Sequence, residues 1–120
     1  MTVKEFYEAV GGDYSDAAGR LQSDTIIKKF LLMLPDDKSY DELSQAVCES
    51  DAEKAFRAVH TMKGIALNLS LISLANACSK MTELLRGQNE MPENVREMKN
   101  AVDDEYKKVC DGIKLMPKEA

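Results

Sequence analysis

Seven apolar residues at steps of three and four, Val95, Met98, Val102, Tyr106, Val109, Ile113 and Met116, run through the C-terminal part of this 120-residue chain. That spacing keeps one face of an α-helix apolar along its whole length, and a strand, whose side chains alternate, cannot share it. A long one-sided helix needs partners, so the rest of the chain has to supply matching faces.

It does so in shorter pieces. Val3, Phe6 and Val10 recur at helical spacing and stop at Gly11-Gly12, predicting a short N-terminal helix. Asp13 to Gln22 is polar, contains Gly19, and reads as a connector or a weak helical turn. Ile27, Phe30, Leu31 and Leu34 mark one side of a helix over residues 24–34 that Pro35 ends. Ser39 and Glu42 have capping-box spacing, which predicts a short helix after Pro35 carrying Leu43, Ala46 and Val47. Ser50 and Glu53 repeat the signal before a run that reaches Leu69, and Ser70 or Ser73 is expected to start the next helix, through Leu74, Cys78, Met81 and Leu85. Pro92 suits the first turn of the last helix.

No segment carries strand character with turn chemistry on both sides. The expected fold is all-α: an antiparallel four-helix bundle, with an additional short N-terminal helix covering one end. Residues 1–120 form one domain with its core in 24–116, from segments 24–34 with 39–48, 51–69, 71–86 and 92–116. No apolar run approaches the roughly 18 residues of a membrane span, and no signal-peptide pattern opens the chain, so the expected setting is the cytoplasm. Cys48, Cys78 and Cys110 are too few and too dispersed for a disulfide framework, and all three are expected as small buried hydrophobes. Met1 and the polar end Pro117-Lys118-Glu119-Ala120 suggest a free-standing protein.

The formal net charge of −5 is unevenly spread. Residues 1–50 hold ten acids and five bases, residues 51–86 three acids and five bases, and the remainder eight acids and six bases. The middle segment is therefore +2 between flanks of −5 and −2. Nucleic acid would call for a strongly basic surface, which is lacking; a mildly positive patch suits an acidic protein partner.

That segment contains the only histidine, in His60-Thr61-Met62-Lys63-Gly64. At roughly 100° per residue, Ala52, Ala55, Val59, Met62 and Ala66 fall within about 80° of arc, with Phe56 and Leu69 at its margins. His60 lies about 130° from the centre of that face and Gly64 about 170°, with Lys63 nearer the boundary. A core histidine belongs on the apolar stripe, and His60 is off it. Phe56, Arg57, Lys63 and Gly64 flank it at helical spacing, and Leu67 lies close to the same direction. Glycine costs about 1 kcal/mol against alanine inside a helix. On the outward face one physical reason to keep it is that another molecule must approach the backbone closely beside the imidazole.

A metal site needs several convergent ligands, and one histidine with three scattered cysteines does not supply them. No hydrolase-type spacing, haem pattern or glycine-rich nucleotide loop is present. Covalent relay remains: a neutral imidazole is nucleophilic near pH 7 and can hold a phosphoryl group on nitrogen. The other possibility is a helical adaptor in which His60 is incidental.

Ala58-Val59-His60-Thr61-Met62-Lys63-Gly64-Ile65-Ala66, followed by Leu69, Leu74 and Cys78, resembles the signature of histidine-containing phosphotransfer (HPt) domains. Phe30 to Pro35, Leu43, Ala46 and Asp51 resemble the family's approach to it. The resemblance implies that His60 accepts phosphate from a phosphoaspartate on one receiver domain, that of a hybrid histidine kinase, and delivers it to a response regulator. It implies that Lys63 sits by the phosphate and that Gly64 leaves space for the receiver; from their place on the helix, Phe56 and Leu67 are expected to give a docking receiver apolar contact and Arg57 a rim charge. No cofactor is expected on the chain itself; magnesium would belong to the receiver, and the domain would be a monomeric carrier without its own ATP site. A chemotaxis-type kinase domain, phosphorylated by an ATP-binding domain, is the alternative within the same fold. Where the family often has a glycine ten places after the histidine, this chain has Ser70, expected here to cap the next helix.

Overall fold

The structure, a computed structural model, describes residues 1–116; the polar end Pro117 to Ala120 lies outside the described residues. Among the described residues seven α-helices follow one another: α1 Val3–Val10, α2 Tyr14–Leu21, α3 Asp24–Met33, α4 Ser39–Cys48, α5 Ala52–Asn68, α6 Ile72–Leu85 and α7 Val95–Leu115. A 3-10 turn, Leu34–Asp36, joins α3 to α4, and no strand occurs among the described residues.

Helices α4 to α7 pack in sequence as an antiparallel bundle, each against the next. Tyr40 on α4 closes the ring by stacking on Tyr106 of α7, with centroids 4.0 Å apart, and by donating a 2.6 Å hydrogen bond from its hydroxyl to Asp103. Val59, Leu43, Leu74, Cys78, Met81, Val102 and Val109 fill the interior. The periodicity of the last helix holds: Val95, Val102, Val109, Ile113 and Met116 are buried, and Met98 and Tyr106 pack partly buried against them.

The N-terminal helix is as predicted. Thr2 and Glu5 form a reciprocal capping box, and Gly11 ends the helix at φ 71. Phe6 and Tyr7 are fully buried. Phe6 packs where α7 has Gly112, whose missing Cβ would lie 2.8 Å from the ring.

Several local expectations are corrected. The polar stretch 13–22 is a helix, α2: Asp13 caps it by accepting from the Asp16 amide, and it buries Ala17. Phe30 is not on a buried face; it is 41% exposed while Ile27 and Leu31 are fully covered. Ser39 opens α4, but without a capping box, because its amide is taken by Asp37 at 2.9 Å. Helix α5 is capped by Asp51, which accepts from the Lys54 amide, and not by Ser50. Neither Ser70 nor Ser73 caps α6, whose N-cap position is Leu71. Ser50 and Ser70 instead close the preceding helices in left-handed conformations, φ 55 and 56, with the next amide bonding back five residues, Asp51 to Ala46 and Leu71 to Ala66. Pro92 precedes α7 in a turn and is not in its first turn. Of the cysteines only Cys78 is buried; Cys48 is exposed and Cys110 intermediate.

The left-handed Ser70 sits at the junction of α5 and α6, where the N-terminal helices are tied down. Tyr7 donates to the Leu69 carbonyl at 2.7 Å, the Asp13 amide to the Ser70 carbonyl at 2.9 Å, and the Ser73 amide to the Gly11 carbonyl at 3.1 Å. The Ser70 hydroxyl donates to Asp16 at 2.6 Å and accepts from Arg20 at 2.8 Å, while the same Arg20 nitrogen reaches Asp16 and the Leu67 carbonyl, each at 2.7 Å.

Candidate functional site

Helix α5 carries the site because its core face is made of small residues that seat it between α4 and α6. Ala52, Ala55, Val59, Met62 and Ala66 are buried as the arc predicts, and Ala58 is buried as well. His60 is exposed on the opposite side. Around Gly64 there is open space: a Cβ placed there would meet nothing within 4 Å. Lys63 is half-buried, and Leu67 is 44% exposed. Thr61 turns its hydroxyl back to the Arg57 carbonyl at 3.0 Å.

The imidazole is not free-standing. It lies parallel to the Phe56 ring, at an interplanar angle of 5° and a centroid separation of 5.8 Å, in an offset stack. The Arg86 guanidinium, at the end of α6, sits 5.3 Å from the centre of the Phe56 ring. Arg86 in turn pairs with Glu83 at 2.9 Å. That hydrogen bond holds the Glu83 carboxyl below its usual pKa, and the charges of Arg86, Lys63 and His60 lower it further. Arg57 pairs with Glu53 at 2.7 Å and is exposed.

Phe56, His60, Lys63 and Gly64 therefore share one surface strip, with Arg57 and Leu67 beside it. Sequence reasoning missed Glu83 and Arg86. The signal was available: in an antiparallel hairpin turning at Ser70, Phe56 lies as far before the turn as Leu84 lies after it. Among the described residues no group of three or more His, Cys, Asp or Glu side chains converges as a metal site, and no helix is long and apolar enough to cross a membrane. What the strip offers chemically is one approachable ring nitrogen next to an ammonium group.

The family model for the Hpt domain matches residues 26–112, from within α3 to near the end of α7. The chain belongs to the Hpt domain family. Neither curated proteins nor solved structures gave a match. As an Hpt domain the protein has the general function of histidine phosphotransfer, and receiver domains are the partners of that function. Helices α1 and α2 fall outside the matched segment. Ser70 falls inside it, and its left-handed backbone is one that glycine adopts without strain.

Proposed function

We propose that this Hpt domain accepts a phosphoryl group on His60 from the phosphoaspartate of one receiver domain and passes it to the aspartate of another. The observation that carries this reading is the exposed imidazole beside the empty space over Gly64. A ring nitrogen, Nε2 in this reading, attacks phosphorus in line with the aspartyl oxygen. The P–N bond forms as the acyl phosphate P–O bond breaks, and the carboxylate leaves with the electron pair. The ring Nδ1 proton is then free to pass to water.

Lys63 offsets charge on the phosphoryl oxygens, while the receiver supplies its own magnesium and acidic site. Gly64 keeps the backbone low so that the receiver can close on the ring. Arg57 and Leu67 supply contact at the edge, and Phe56 holds the imidazole from beneath. A kinase receiver as donor and a regulator receiver as acceptor, meeting a monomer in the cytoplasm, complete the reading.

The test is transfer from phosphorylated receiver domains to the purified chain. His60→Gln is expected to abolish labelling while leaving helix content unchanged. Labelling that persists at another residue, or that comes only from an ATP-binding domain, would overturn the assignment.

A further inference from the structure

We propose that α2 is a docking wall for the receiver domain, held in position by the hydroxyl of Ser70. The proposal rests on His60 meeting a receiver, and it adds which part of this chain, outside the family-matched segment, sets how tightly that receiver binds.

An apolar groove of about 760 Å³ runs beside the His60 strip. Arg20 and Leu21 of α2 form one wall, Phe30 and Met33 of α3 another, and Ile65 and Asn68 of α5 the base. Phe30 is 41% and Met33 57% exposed, so the groove is apolar surface open to solvent. It is continuous with the proposed site. Asn68 follows His60 by eight residues, a rise of about 12 Å along the helix, and Gly64 lies between them on the same side.

A partner burying about 800 Å² here would cover a patch of roughly 16 Å radius, so a receiver seated on His60 and Gly64 reaches the groove. The other direction along α5 is less suited to it. There the cleft is lined by three carboxylates, Glu49, Asp51 and Glu53, and no base, whereas the groove sets Arg20 against Asp36 and Asp37, so the cleft would repel the acidic site of a receiver more strongly. Phe56, next to the ring, is already covered by His60 and Arg86.

The wall depends on Ser70. Arg20 is held by one nitrogen to Asp16, to the Leu67 carbonyl and to the Ser70 hydroxyl, and Ser70 completes the triangle by donating to Asp16. A glycine at this position would keep the left-handed turn and lose two of those bonds. Ser70 is thus a positioning residue: it touches no phosphoryl group and acts through α2.

Three full-length variants test this, using the receiver domain that transfers fastest to the unaltered chain. Ser70→Gly retains the backbone and removes the hydroxyl; Arg20→Met keeps the stem and removes the donor; Met33→Glu charges the groove without touching the clamp. Each is expected to raise the KM for the phosphorylated receiver about tenfold with kcat within about twofold. Labelling of His60 by phosphoramidate, which needs no docking, should proceed in Ser70→Gly at the unaltered rate. KM unchanged in Met33→Glu, or in both clamp variants, overturns the wall while leaving His60 as acceptor. Failure of phosphoramidate and receiver alike to label the unaltered chain overturns the acceptor reading, and the wall with it.

Discussion

Gly64 stands in the middle of a helix, on its exposed face, with nothing near it. Folding alone does not favour that choice. Gly64→Ala is expected to raise stability by about 1 kcal/mol in urea unfolding, since it restores helix propensity without meeting any atom. Gly64→Leu should likewise fold, but slow transfer from a phosphorylated receiver at least about tenfold, because the new side chain stands where the partner must close. An unchanged transfer rate would remove close approach as the reason for the glycine. Gly112 gives the opposite sign. Its Cβ would lie 2.8 Å from the buried Phe6 ring, so Gly112→Ala should destabilise by about 1 kcal/mol despite its better propensity.

Among the elements, α2 was the least legible. Its sequence is polar and glycine-containing, and local propensity favours no helix there. Beside its local Asp13 cap and Arg20–Asp16 pair, it is tied to the Ser70 hydroxyl fifty residues away, a contact that no spacing rule reveals. Ser50 and Ser70 end helices instead of starting them for a related reason. A serine before a helical run suits both the start of one helix and the end of the one before, and at these tight junctions backbone geometry chose the second. The long apolar lines of α5, α6 and α7 were legible because their burial follows directly from period. The position of His60 followed from the same arithmetic, whereas Glu83 and Arg86 became neighbours only through the pairing of two helices.

The α2 clamp is also expected to respond to acid. The Ser70 hydroxyl, and then Arg20, hold the Asp16 carboxyl below its usual pKa of 3.8. A lowered folded-state pKa contributes stability that is fully present above the ordinary value and is lost as pH falls through the lower one. Stability measured from about pH 6 down to about pH 2 should show this loss in the natural chain and a smaller one in Asp16→Asn, which should also be the less stable of the two above pH 4. Parallel curves would show that Asp16 contributes nothing through its charge.

On the scale of the whole molecule, the bundle is elongated, 45 by 22 by 18 Å. Its three thiols report different depths. Burial pushes the Cys78 thiol up to about 12, whereas Cys48 is exposed. Alkylation near pH 8 is expected to modify Cys48 first and Cys78 only when the molecule unfolds globally, giving Cys78 a rate that tracks overall stability. Rapid modification of Cys78 in the folded protein would mean that the bundle opens locally around α6.

The offset stack of His60 on Phe56 gives the protein a built-in spectroscopic reporter. A chain with a single histidine has one set of imidazole proton resonances, and here those protons lie within the ring-current field of a neighbouring aromatic. Any event that lifts the imidazole from Phe56 would move that one set of signals without an added label. The same nucleus could then be followed through titration, modification and partner exchange in a mixture with other proteins.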